Sequence, residues 1–182
     1  MAYPPRFNYP GAVYHVTDLG TGGCAIFRDT EDHERYNWTL GVNVDRYGWL
    51  VLMWVHMTTH VHILLQTPLG NLTPGMQRLK SVYAQGYNQK YKRKGALFAE
   101  RYSCWFIQSD THFFRTVRYI ARNPFEEGMC ARPEDFRWSS YGPTLRGDTP
   151  RPANGAAELV RRCGGDEALK RLVDFGFEAE TG

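Results

Sequence analysis

Apolar residues fall along the chain in short β-like runs separated by longer stretches of helical spacing. Tyr3 to Gly11 holds three prolines and reads as an extended lead-in. Ala12-Val13-Tyr14-His15-Val16-Thr17 is β-branched and aromatic and predicts a first strand. The glycine-rich stretch Asp18–Gly23 lacks the spacing of a phosphate loop and reads as a mobile turn. Asp29 or Thr30 can cap a helix to about Val44, with Tyr36, Leu40 and Val44 on one stripe, and Tyr47-Gly48 breaks it. Trp49 to Met57 and His60 to Gln66 are apolar strands, and the two-residue Thr58-Thr59 connection makes them an antiparallel hairpin.

A second helix is expected from about Thr73 to Tyr91, with Met76, Leu79, Val82, Tyr83 and Tyr87 at 3-4 spacing and Gly86 marking a close approach. Cys104–Gln108 is a fourth strand. Asp110 caps a helix from Thr111 to about Arg122, which Asn123-Pro124 ends, and 126–146 is irregular. The order β-α-β-β-α-β-α predicts an α+β fold, a ferredoxin-like antiparallel sheet with helices packed on it. Beyond Gly147 the composition turns acidic and proline-rich. Residues 1–146 therefore read as the principal domain, and 147–182 as a helical appendage or a tail that folds back.

Chemistry enters at His60-Val61-His62. Side chains alternate faces on a strand, so both imidazoles project from one face, where they can close on a single metal ion. Two unliganded strand histidines would give the same spacing, and the pattern alone does not separate the two readings.

Charge sharpens the picture locally rather than globally. The net charge is only +3, yet Arg78, Lys80, Lys90, Lys92, Arg93, Lys94 and Arg101 face a single acid, Glu100, between positions 78 and 101. Such a segment suits a polyanion. Cys24, Cys104, Cys130 and Cys163 form no C-x-x-C pair and read as reduced thiols of a cytoplasmic protein. No apolar run approaches the ~20 residues of a membrane span.

On a helical wheel the 112–123 stretch shows three stripes. Phe113, Phe114, Val117, Ile120 and Ala121 form an apolar arc. Arg115, Arg118 and Arg122 form a basic rail. His112, Thr116, Tyr119 and Asn123 form a polar, reactive line. Alone, this is an amphipathic surface helix. Beside His60, His62 and the basic segment it supports a phosphodiester site, with the histidines on a metal, Asn123 as third ligand and Tyr119 attacking.

The chain resembles the HUH single-tyrosine transposases, specifically the REP-associated tyrosine transposases of bacteria. The resemblance rests on Pro10-Gly11-Ala12-Val13-Tyr14-His15-Val16, on Met57 through Leu65 with its two histidines, and on Tyr91, Gly95, Leu97-Phe98 and Arg101. It continues through Tyr119-Ile120, Asn123-Pro124 and Trp138-Ser139-Ser140. It implies that His60 and His62 are metal ligands, that Tyr119 is the nucleophile, and that Asn123 stands where the family has Gln or Asn. It also implies a divalent metal, Mg²⁺ or Mn²⁺, and single-stranded DNA with hairpins as the partner of a monomer or homodimer. Thr58-Thr59 departs from the family's usual Pro-Asn, and Leu19-Gly20-Thr21 from its Arg-Gly-Asn.

The reaction implied is cleavage and rejoining of DNA through a 5′-phosphotyrosine. A phenol of ordinary pKa, about 10, needs activation from such a site. Two other classes stay open: an inactive hairpin-binding module using Arg115, Arg118, Arg122 and the basic segment, and a replication-initiator or relaxase-type nickase. Intact His60, His62 and Tyr119 weigh against the first. The lack of a helicase or primase region weighs against the second. His56 is a candidate for a supporting role, whereas His15 and His33 are expected to pack or face solvent. Tyr83, Tyr87 and Tyr91 read as core contacts and a base-stacking surface.

Overall fold

The computed structural model describes residues 8–99 and 101–176. Most of the proline-rich lead-in, Glu100 and the last six residues of the tail lie outside the described residues. Four strands, β1 (Ala12–Leu19), β2 (Leu50–His56), β3 (His60–Thr67) and β4 (Ser103–Phe106), form one sheet in the order β2-β3-β1-β4. Every neighbouring pair is antiparallel. Helix α1 (Thr30–Tyr47) joins β1 to β2 and α2 (Leu72–Lys90) joins β3 to β4, which is the ferredoxin-like arrangement. The remaining helices are α3 (Asp110–Glu126), α4 (Tyr141–Leu145), α5 (Ala156–Cys163) and α6 (Asp166–Phe175).

Strand alternation sorts the side chains into two cores. Val61, Ile63 and Leu65 of β3 point to α1 and α2, where they meet Tyr36, Leu40, Met76, Leu79 and Tyr83. Val13, Val55 and Leu64 point the other way, against Phe113, Val117 and Ile120 of α3. A shift of register between Val51 and Met53 lets Leu52 and Met53 both join this second core. His60 and His62 share a face with Leu64, so the alternation that builds the second core also turns both imidazoles toward α3.

The segment after Gly147 folds back. Leu159 from α5 and Leu169, Leu172 and Val173 from α6 are buried in the same core as Val117 and Leu64. The stretch read as irregular is ordered around β2. His56 N donates to Trp138 O at 2.9 Å, Ser140 N donates to Trp54 O at 3.0 Å, and Trp54 N donates to Ser140 Oγ at 3.0 Å. Trp138–Ser140 thus covers the outer edge of β2, which would otherwise present unpaired backbone groups.

Element ends differ from the expectations in physically simple ways. β1 runs two residues further, to Leu19, because β3 pairs with it as far as His60. Asp29 caps α1 by accepting from Asp32 N at 3.1 Å, and Gly48 ends it in the left-handed region at φ 64°. Ser109 rather than Asp110 caps α3, its Oγ accepting from His112 N at 3.2 Å. Pro124 does not stop α3. Its ring removes one N–H, and Glu127 N resumes the ladder to Asn123 O at 3.0 Å. Gly86 lies against the Arg35 side chain of α1, the close approach expected there. The four cysteines are free thiols.

Candidate active site

The site is a junction of β1, β3 and α3. β3 supplies His60, which is half-buried, and His62, which is buried; their rings lie 4.9 Å apart at 85°. Directly across from His62 on β1 is Thr17. Its Oγ1 lies 2.8 Å from His62 Nδ1, and His15 Nε2 lies 3.0 Å from the same atom. His60 has a parallel arrangement, with Thr59 Oγ1 3.1 Å from its Nδ1. Tyr119 on α3 places its ring 5.2 Å from His62 and 5.8 Å from His15, edge-on to both. One turn on, Asn123 adjoins His60.

Burial sets the charge states. It pushes the His62 imidazole down to about 2, helped by the positive potentials of His15 and His60. It likewise pushes His15 down to about 4, with His112 adding to the effect. His60 is lowered by burial, partly offset by Asn123 and by the carboxylate of Glu127. All three are neutral at pH 7, the form that can donate a lone pair to a cation.

The donor atoms fit a metal ion on one specific observation. His62 Nε2 and Asn123 Oδ1 are buried and have no hydrogen-bond partner among the described residues. A buried acceptor left unpaired costs about 1–3 kcal/mol, and a cation would relieve both. Among the described residues no group of three His, Cys, Asp or Glu is placed to hold a metal. The candidate set is therefore two imidazoles and an amide, with no charge of its own. Such a set binds modestly and leaves positions open for oxygen ligands from a phosphate.

The residues expected to meet DNA divide sharply. Arg115 is exposed beside Tyr119. Arg122 is tied elsewhere, with Nε 3.0 Å from Glu126 Oε1 and Nη1 3.4 Å from Val173 O, and Arg118 lies toward Gly176 at the end of α6. Two of the three rail arginines, Arg118 and Arg122, therefore lean on the C-terminal segment, and Arg115 stays exposed. In the 78–101 segment, Lys80 pairs with buried Asp18 at 2.8 Å. Lys90 pairs with Asp29, Glu31 and Asp32 at 2.8, 2.9 and 3.0 Å. Arg78 donates to Asn43, and Arg93 donates to Ala96 O and Asn88. Lys92, Lys94 and Arg101 are exposed. The contiguous basic surface suggested by the sequence is thus reduced to a few residues, because much of its charge neutralises acids on β1 and α1.

The tyrosines of α2 are structural. Tyr83 and Tyr87 are buried, with hydroxyls donating to Ile26 O at 2.5 Å and Ala25 O at 2.7 Å. Tyr91 donates to Asp32 at 2.8 Å, and burial with that carboxylate pushes its phenol up to about 12. A stacking role for Tyr83 and Tyr87 is excluded by this burial. His56 also departs from its expected supporting role. It sits on the opposite face of the sheet, stacked 4.6 Å from Phe27 and in contact with Tyr36 and His33. His33 packs, as expected, 4.1 Å from Trp138. His15 and Thr17 are the site residues that the sequence did not single out. Only the pairing of Thr17 with His62 reveals them.

β3 thus carries paired imidazoles, and α3 lays Tyr119 against one of them. The chain belongs to the Transposase IS200 like family, whose profile matches residues 14–123, more than half of its length. The solved structure of a REP-associated tyrosine transposase bound to a REP hairpin is similar in fold, with a TM-score of 0.69 at 16% identity over 82% of this chain and 89% of that one. A putative transposase from Deinococcus radiodurans aligns over 71% of this chain and 99% of that one, at 17% identity and a TM-score of 0.46. No curated protein matches the sequence. No helix among the described residues is long and apolar enough to cross a membrane.

Proposed function

We propose that this transposase is a metal-dependent endonuclease of single-stranded DNA that cuts and rejoins strands near hairpins through a 5′-phosphotyrosine at Tyr119. The observation that carries the reading is the packing of the Tyr119 ring against His62, whose Nε2 is buried and has no partner among the described residues. Tyr119 Oη attacks the scissile phosphorus, a P–O bond to tyrosine forms, and the P–O3′ bond breaks. Tyr119 is 45% exposed, so its phenol proton can pass to water, and the leaving 3′ oxygen takes a proton back. A divalent ion on His60, His62 and Asn123, Mg²⁺ or Mn²⁺ by family expectation, would neutralise charge developing on a non-bridging phosphate oxygen. The tyrosyl ester conserves the phosphodiester bond, so a second 3′-OH can reverse the step and join strands.

His60, His62, Asn123 and Tyr119 approach one another on rigid elements, which favours this reading over an inactive binding module. The test is incubation of the protein with single-stranded hairpin DNA and Mn²⁺, scoring a protein–DNA adduct that survives denaturation. Tyr119→Phe should abolish the adduct and leave binding near wild type. An undiminished adduct in that variant would assign the attack to another residue. Binding without any adduct from the wild-type chain would favour the binding module.

A further inference from the structure

We infer that Trp105 is a stacking platform for one unpaired nucleobase beside the scissile phosphate, an inference that rests on the single-stranded DNA reading above. Trp105 pairs with His15 across β1 and β4, so the two side chains share the face that carries His62. The indole lies 5.3 Å from the His15 ring at 32°, and the Tyr119 ring lies 5.8 Å from the same imidazole, edge-on. Trp105 and Tyr119 are therefore no farther apart than the sum of those two distances. His15 thus lies within 6 Å of both the Trp105 and the Tyr119 rings.

Trp105 remains 49% exposed although it adjoins a packed site. β4 is an edge strand, and Ser103-Cys104-Trp105-Phe106 carries no charge to protect it. Edge strands are ordinarily blunted by charge, proline or a covering element. A half-exposed indole there offers apolar π-surface near the tyrosine that would attack the backbone. A strand drawn past Tyr119 carries its bases within reach of this ring, and every base offers a π-face, so the contact suits single-stranded DNA independently of hydrogen-bond readout. Purines, with the larger face, should be held better than pyrimidines.

The test is an abasic-site scan. A set of hairpin oligonucleotides, each lacking one base near the cleavage position, is bound to wild type, Trp105→Ala and Trp105→Phe, with Trp38→Ala on exposed α1 as control. Trp105→Ala should weaken binding of the intact oligonucleotide by about 5- to 150-fold, the range for one base–aromatic stack. One abasic position should cost wild type a similar factor and cost Trp105→Ala almost nothing further. Trp105→Phe should recover part of the loss, and Trp38→Ala should bind as wild type. Additive losses at every position would overturn the inference. So would a Trp105→Ala variant whose sole change is dissociation of a dimer, which would make the platform an interface with a second copy. Adduct formation is read separately: binding that follows the abasic pattern without any adduct would sink the cleavage reading and leave the platform standing.

Discussion

The Thr17 hydroxyl lies 2.8 Å from Nδ1 of His62, on the side of the imidazole away from its unpartnered Nε2. This contact is compatible with the tautomer that a metal on Nε2 would require. With the proton on Nδ1, His62 donates to Thr17 Oγ1 and to the neutral His15 Nε2, and Nε2 keeps its lone pair. A cation on Nε2 needs that lone pair, so metal binding would favour the Nδ1–H tautomer, whose proton Thr17 and His15 are placed to accept. Thr59 holds Nδ1 of His60 in the same way at 3.1 Å. Thr59 is one of the residues that departs from the usual family pattern, so the departure keeps a polar contact to His60, the proposed ligand.

Thr17→Val should therefore weaken Mn²⁺ binding by about 10- to 100-fold, the usual cost of losing a partner behind a ligand, while Thr17→Ser should retain it. Titration followed by Mn²⁺ paramagnetic resonance measures this in the absence of DNA. Equal Mn²⁺ affinity in all three proteins would remove Thr17 from the ligand's support.

The charge of the donor set sets up a second expectation. His60→Ala and His62→Ala should each remove adduct formation, as should excess chelator with the wild-type protein. Asn123→Ala should be milder, because water can replace a neutral amide. Asn123→Asp adds a negative charge to a neutral site and should tighten Mn²⁺ binding. Full cleavage in excess chelator would exclude a metal from the reaction, and weaker Mn²⁺ binding by Asn123→Asp would place the ion away from this residue.

Much of the sheet was legible from residue spacing, because period-2 and period-3.6 patterns are local. The side of β3 that carries His60 and His62 followed from alternation alone. The stripe of Tyr119 and Asn123 followed from the helical wheel, since both lie on one continuous helix. What stayed hidden depends on pairing between distant segments. Thr17 and His15 become part of the site only through the β1–β3 register, and Trp138–Ser140 becomes an edge cover only through β2. The basic segment misled for the same reason. Lys80 and Lys90 look like a polyanion surface until Asp18, Asp29 and Asp32 arrive from the other end of the fold.

The lysines can be separated by experiment. Asp18 is fully buried and the Lys80 side chain is only 16% exposed, so Lys80→Ala removes a cation from a buried carboxylate. The expected loss of stability is about 3 kcal/mol or more, read by urea unfolding. Lys90→Ala, whose partners are mostly exposed, should cost about 1 kcal/mol. Neither should alter the salt dependence of DNA binding. Lys92→Ala and Lys94→Ala should leave stability unchanged and each flatten the log K against log salt slope by about 0.7 if that lysine neutralises a phosphate of a single strand. A flattened slope in Lys80→Ala, with an unchanged one in Lys92→Ala and Lys94→Ala, would invert this assignment.

Acid should destabilise the fold from the opposite face of the sheet. His33 Nδ1 lies 3.3 Å from His56 Nδ1, and the two rings stack with Phe27 and Trp138. Burial pushes His33 down to about 4, against the pull of Asp32, and pushes His56 well below its ordinary value. The unfolded chain takes these protons near pH 6.5, whereas the folded chain refuses them. Their contribution is thus fully present above about pH 6.5 and is lost as the pH falls toward 4. For a fully buried group with that shift the loss is about 2 kcal/mol between pH 8 and 5, and about half as much at half-buried His33 after solvent screening. His33→Phe keeps an aromatic ring between Phe27 and Trp138 but removes one titrating group. Its unfolding free energy should fall less steeply than wild type between pH 7 and 5 in urea titrations. Parallel pH curves for the two proteins would show that His33 does not couple folding to acid.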